Sequence, residues 1–349
     1  MSANVRQTNG LYVGRTVESP ILTRATQASR EGSSFAQQKE TTPIEIDGRQ
    51  KIYSVAFFAD GKHIVSGGKE GKIRRWRVED GQEVGTPMDA GSTVRGVAVS
   101  RDGKWVVSGT DSGRVTVWNA ESYSKATEWQ AHSNWLRAVD VSSDGTRIAS
   151  GSLDKTVCVW SLSTGKRLLG PFKYDDLVLA VKFSPDGRLI ATVAWDVQVY
   201  DSQNGGLLVS FPVQVNSLLN QSLAWASGSK QLFALSRDGN VHCLDVSTGT
   251  TLSKWAIHST KDPWCIALAS NGMFIAVSAN SSVSFWDTAS HEQIGSVIAH
   301  THVVWRMAIS INYDLVIGGN NAITIRRLCG VLPCSYLLNV SVVSMKKLI

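Results

Sequence analysis

Three histidines, His132, His258 and His300, are the side chains here best suited to proton transfer at neutral pH. With Ser150 and Asp154, His132 makes up the parts of a base-assisted nucleophile: a hydroxyl, an imidazole to take its proton and a carboxylate to orient the ring. The spacing argues against that chemistry. His258 lies 126 residues after His132 and His300 a further 42, so the histidines recur rather than converge on one centre. The segment Gly67-Gly68-Lys69-Glu70-Gly71-Lys72-Ile73 is one residue short of a phosphate loop and lacks the hydroxyl residue after the lysine. Cys158, Cys243, Cys265, Cys329 and Cys334 are odd in number, include no Cys-x-x-Cys pair and have no histidines at zinc-finger spacing. No nucleophile elbow or dinucleotide fingerprint occurs. The expectation is a non-enzyme with no catalytic residue, no metal and no cofactor.

The elements that carry these residues repeat. Asp-Gly pairs at Asp60, Asp102, Asp144 and Asp186 are each 42 residues apart. Each is followed by an apolar run, a small-residue turn and a second run ending in an aromatic: Lys72–Trp76, Arg114–Trp118, Thr156–Trp160 and Asp196–Tyr200. Asn240–Leu244, Ser282–Trp286 and Ala322–Arg326 continue the series, which makes seven copies, with the aromatic lost in the fifth and seventh. One copy reads as four strands: Arg137–Ser142, a two-residue Asp144-Gly145 hairpin, Arg147–Gly151, Thr156–Trp160 and an outer run Arg167–Phe172. A period of about 40–45 residues built this way predicts an all-β fold, a seven-bladed β-propeller of four-stranded antiparallel blades.

A repeat ending in Trp or Trp-Asp, as at Trp286-Asp287, with a histidine before its first strand, resembles the WD40 family, and standalone arrays of this kind are similar to those of fungal proteins. The resemblance covers residues 43–328. It implies a buried hydrogen-bond network in the third blade, with His132, Ser150, Asp154 and Trp160 in its four roles. The other blades depart from it: Glu70 stands at the Asp position of the first, Ser112 (or Asp111) at that of the second, and Tyr174 and Tyr200 at the His and Trp positions of the fourth. The third blade is therefore expected to be stiffer than its neighbours. The resemblance further implies a protein-interaction scaffold that docks partner peptides or proteins, the fold alone not deciding which. A substrate receptor of a ubiquitin ligase is the alternative. Such receptors carry Trp-Asp-x-Arg, whereas the tetrads beginning at Trp76, Trp118, Trp160 and Trp286 all lack the final arginine.

Residues 1–42 are rich in Ser, Thr, Gln and Gly and read as a disordered tail, with arginines that faintly resemble an organelle-targeting peptide. Residues 329–349 form an apolar tail ending in Lys346-Lys347-Leu348-Ile349, and Pro333 and Asn339 make it a poor membrane helix. A segment packed on the last blade, a competitor for Pro43–Asp47 and a truncated eighth repeat all fit it. Pro43–Asp47 looks like an outer strand with no preceding copy, so it is expected to pair with the last one and close the ring. The net charge of +6 is scattered, where nucleic-acid binding wants a concentrated basic stripe. Unpaired cysteines point to a reducing compartment, cytoplasmic or nuclear, with the chain monomeric or part of a larger complex.

The same period names a face. Seven residues before each Asp-Gly turn or its equivalent lie Tyr53, Arg95, Arg137, Leu179, Ser222, Trp264 and Trp305, at the start of each innermost strand and the mouth of the central channel. Aromatics and arginines dominate this ring in a chain with 8% aromatic residues, and they are the types that concentrate binding energy. Trp135, Leu153 and Arg306 extend the patch. The expectation is one solvent-open rim for partner binding; the competing reading packs Trp264 and Trp305 between blades.

Overall fold

Runs of Val, Ile, Ala and Thr, each about six residues long and punctuated by glycine turns, fold into antiparallel strands throughout. The computed structural model describes residues 42–215, 222–257 and 263–337 (backbone only for 263 and 264). Among these residues there is no α-helix, and two 3-10 turns, Leu328–Gly330 and Cys334–Tyr336, follow the last strand. Five sheets have four strands each, and a sixth of seven strands is two blades joined by one long strand. The innermost strand of each blade touches that of the next, and the seventh touches the first. The described residues form a closed seven-bladed propeller.

The Asp-Gly turns are longer than a two-residue hairpin. In the third blade Ser142 N–H bonds to Arg147 O at 2.9 Å, which leaves four residues in the loop. Asp144 accepts from Thr146 N–H at 3.0 Å, and Gly145 takes φ +70°, which only glycine adopts at little cost. Asp60, Asp102 and Asp186 accept from the backbone N–H two residues on in the same way.

The joining strand, Ile44–Phe57, serves two blades. Its first part pairs with Asn320–Arg327 of the seventh blade in the register Ile44↔Ile325, Glu45↔Thr324, Ile46↔Ile323 and Asp47↔Ala322. Its second part pairs with His63–Gly68 of the first blade. This is the closing pair expected from Pro43–Asp47. The outer strand of the first blade is only Met88–Asp89. Gly85 at φ +74° bends the chain there and Pro87 has no N–H to donate.

Adjacent blades interlock through glycine. A Cβ on Gly67 would lie 2.4 Å from Val94, one on Gly109 2.2 Å from Leu136, one on Gly151 2.6 Å from Val178 and one on Gly318 2.7 Å from Ile52. Those four partners sit one period apart, and all are fully buried. Each occupies the space that a missing side chain leaves in the previous blade. After the last strand, Leu328 and Leu332 are buried in the cluster of blades six and seven, and Tyr336 meets Phe274 edge-on at 6.4 Å. Asn271 Nδ2 donates to Tyr336 O at 2.8 Å. Of the three packings that the sequence allows for this segment, residues 328–337 take the one against the last blades; residues 338–349, like 1–41, lie outside the described residues.

Candidate functional site

Side chains alternate along a strand, so when the first residue of an innermost strand faces the rim, the next faces the channel. In four blades that next residue is small: Ser54, Gly96, Ala138 and Ala180. In the seventh it is Arg306. These residues line an axial cavity of about 270 Å³. Arg306, expected on the open rim, is instead 9% exposed within the channel, because the small residues opposite leave room for its guanidinium. It reaches across the ring, where its Nε donates to Tyr53 O at 3.0 Å and its Nη2 to Arg137 O at 3.4 Å. One layer deeper, Lys182 Nζ pairs with Asp140 at 3.1 Å, and Asp140 also accepts from Phe183 N–H at 2.8 Å.

Above Arg306 the rim residues of four blades touch in series. The Arg95 guanidinium stands 4.5 Å from the ring centre of Tyr53 and 4.5 Å from that of Trp135, a cation held between two aromatic faces. Tyr53 meets Trp305 edge-on at 6.4 Å. Trp305 Nε1 donates to Asn320 Oδ1 at 3.1 Å. Trp135 is 43% exposed, whereas Tyr53, Arg95, Arg137 and Trp305 are half-buried. Asp111 lies 3.9 Å from Arg95. Burial first, and then the nearby Arg95 charge, pulls the Arg137 guanidinium down to about 10; burial and Arg137 do the same to Arg306. Both stay charged at neutral pH.

The ring expected from the period is therefore an arc. Leu179 and Ser222 are buried, Leu153 is half-buried, and the side chain of Trp264 lies outside the described residues. Tyr53, Arg95, Trp135 and Trp305 come together, with Arg137 and Arg306 at the channel. The full circle fails at the fourth and fifth blades because Leu and Ser there carry neither charge nor aromatic surface to the rim.

His132, Ser150, Asp154 and Trp160 form one chain of hydrogen bonds. Trp160 Nε1 donates to Ser150 Oγ at 2.8 Å, and Ser150 Oγ lies 2.7 Å from His132 Nε2. His132 Nδ1 lies 3.0 Å from Asp154. The indole occupies the serine oxygen as donor, so the hydroxyl proton goes to Nε2 and the imidazole proton on Nδ1 goes to Asp154. Burial holds the His132 pKa below its ordinary value against the opposing pull of Asp154. Ser150 has no exposed surface, so the arrangement orders the turn and offers no nucleophile to solvent.

Other blades keep only the indole–serine half: Trp76 to Ser66 at 2.8 Å and Trp118 to Ser108 at 2.9 Å. In the first blade Gln50, which the period does not single out, donates to Lys72 O and accepts from Glu70 N–H at 2.7 Å. The Glu70 carboxylate, expected in the Asp role, is replaced there by a side chain that both donates and accepts. In the second blade Asp111 accepts from the Ser92 hydroxyl, while Ser112 meets Thr110 at 2.8 Å. In the fourth, Tyr174 hydroxyl pairs with Thr192 at 2.7 Å. His258 lies outside the described residues. Among those described, no cluster of His, Cys, Asp or Glu is placed to hold a metal ion, and no helix is long and apolar enough to cross a membrane.

A family model described as WD domain, G-beta repeat, matches residues 42–77, 81–119, 123–161, 167–196 and 249–287, more than half of the chain. The unmatched stretches include Leu244 and Arg326, where the repeat loses its aromatic. A comparison with curated proteins finds none that matches. Members of this family generally bind other proteins and are typically non-enzymatic. With seven registered blades, a buried His-Ser-Asp-Trp network and five matched repeats, the chain belongs to the WD40 family.

Proposed function

We propose that the protein is a non-enzymatic scaffold that docks partner peptides or proteins at the channel mouth of the propeller. The observation that carries this reading is the stack Trp135–Arg95–Tyr53–Trp305, contributed by four blades and open to solvent at Trp135. A guanidinium fixed between two rings offers flat apolar area and unspent N–H donors together, the pairing found where binding energy concentrates. A reducing compartment, cytoplasmic or nuclear, suits its unpaired cysteines. No observation favours the ligase-receptor reading, and Trp-Asp-x-Arg is absent from its tetrads.

Affinity capture with mass spectrometry tests the proposal, comparing the intact chain with Arg95→Ala/Trp135→Ala. Most partners should be lost while the far-ultraviolet circular dichroism spectrum is kept. Retention of the full partner set by the folded double variant overturns docking at the mouth.

A further inference from the structure

The innermost strand of each blade pairs on one side only, so every second backbone N–H on its other edge points toward the axis. In the second blade such a group is Val97 N–H, which donates to Ser54 Oγ of the first blade at 3.0 Å. One and two periods on stand Val139 and Val181, paired with Ser150 and Thr192 as Val97 is with Ser108. The preceding blade sets Gly96 and Ala138 before them, where Ser54 stands before Val97, and neither side chain can accept a hydrogen bond. A Cβ on Gly96 would lie 3.2 Å from Val139 N, so the glycine opens the space in front of that donor. One layer deeper the same relation is filled, since Asp140 accepts from Phe183 N–H at 2.8 Å. Val139 and Val181 therefore present two backbone donors to the axial cavity with no side-chain acceptor before them. Such groups call for an acceptor.

Arg306 lines the same cavity and is more than nine-tenths buried. Its Nε and Nη2 go to Tyr53 O and Arg137 O, and its Nη1 donates to no group among the described residues. Arg137 O and Val139 N–H are successive groups on one strand edge, which sets the guanidinium beside the first of the two donors. The charged residues of the cavity wall are Arg306, Lys182 and Asp140. Lys182 and Asp140 answer each other at 3.1 Å, so one positive charge is left over, on a buried group. The Ser54 hydroxyl, having accepted from Val97, keeps its proton to give. We propose that this layer of the channel is a site for one small, singly charged oxyanion of the carboxylate type. Arg306 Nη1, the N–H groups of Val139 and Val181 and the Ser54 hydroxyl hold it, and a second negative charge would meet Asp140. The cavity of about 270 Å³ suits a molecule of a few heavy atoms. Arg306 reaches from the seventh blade to the third between this layer and the rim, so the site takes a free ion and does not depend on docking at the mouth.

Isothermal titration calorimetry of the intact protein in a low-salt zwitterionic buffer tests this, with sodium acetate as probe and sodium phosphate and sodium chloride as competitors. Acetate should bind once per chain, saturably, and more tightly than phosphate or chloride. Arg306→Met should weaken it roughly tenfold or more, the worth of a hydrogen bond to a charged group. Because Arg306→Met alters the channel interior, Ala138→Asp supplies a second test of opposite sign. Its carboxylate would stand before Val181 N–H as Asp140 stands before Phe183 N–H, so the chain provides its own anion. That variant should lose acetate binding and, in acetate-free buffer, melt above the parent, with the parent closing the gap as acetate is added. A buried carboxylate with nothing to answer lowers the melting temperature instead, and that result overturns the site. So does the absence of saturable acetate binding, or binding that both variants leave unchanged. Tighter binding of phosphate overturns the single charge, and equal binding of chloride overturns the oxyanion.

Discussion

His132 makes its hydrogen bonds at both ring nitrogens, so its loss strands two partners. His132→Ala leaves the Ser150 hydroxyl and the Asp154 carboxylate short of a partner inside the third blade. The expected cost is about 1–3 kcal/mol by denaturant titration, the usual penalty for orphaning buried polar groups; a cost near zero would mean that water replaces the imidazole freely. His300 in the seventh blade behaves differently. Its Nε2 is buried without a hydrogen-bond partner, and burial together with the nearby Arg326 charge lowers its pKa from 6.5 to about 4. A folded value below the unfolded one means that the unfolded chain takes the proton first. His300 therefore contributes its full stability above about pH 6.5 and loses it progressively as the pH falls toward about 4. His132 and His242 are shifted the same way, chiefly by burial. The unfolding midpoint should drop between those two pH values, and His300→Phe should make the drop shallower. An unchanged slope in that variant would show that His300 protonates equally well in both states.

At the scale of the element, the 42-residue period made the strands and their order legible, because turn chemistry and strand alternation are local. The four residues His132, Ser150, Asp154 and Trp160 were legible for the same reason: each sits at a fixed offset in a repeat. What was not legible depends on contacts between blades. Gln50, three residues before Tyr53 within the joining strand, ties down the turn at Glu70 and Lys72 from a position that the period does not single out. Arg306 looked like a rim residue until the small residues facing it across the channel were in place. The glycine interlocks likewise depend on the side chain that the next blade brings up, although Gly67, Gly109 and Gly151 are themselves 42 apart. Gly109→Ala should cost about 1–3 kcal/mol, as for overpacking, because Leu136 is fully buried and has little room to retreat. The companion change Leu136→Val should recover part of that loss. If Gly109→Ala melts like the parent, the blades are not locked at this point. The first strand carries a larger share. A chain beginning at Arg49 lacks the pairing of residues 44–47 with the seventh blade and the buried Ile46. It should be less stable than one beginning at Thr42 by about 3 kcal/mol or more, since burial of one isoleucine alone is worth about 1.5–3.

In the whole molecule, a ring closed by a shared strand couples every blade to two neighbours, so unequal blades must settle into a graded order of local opening. The third blade has its complete network, with Trp129 packed 5.7 Å from Trp160 beside it. The fifth has Leu244 at the indole position, and its His242 bonds to Ser236 in its own hairpin at 3.1 Å rather than tying one strand of the blade to the preceding loop. Local opening in a repeat array follows the weakest units, and amides there exchange by sub-global fluctuation while others wait for global unfolding. Native-state hydrogen exchange should accordingly protect Thr156–Ser161 more strongly than Asn240–Asp245, although both are third strands with two paired neighbours. Removing residues 42–48 should narrow the difference, because an open ring frays from the first and seventh blades inward and lowers the ceiling that the third blade can reach. Equal protection of the two strands in the intact chain would show that closure, and not the side-chain network, sets the stability of each blade.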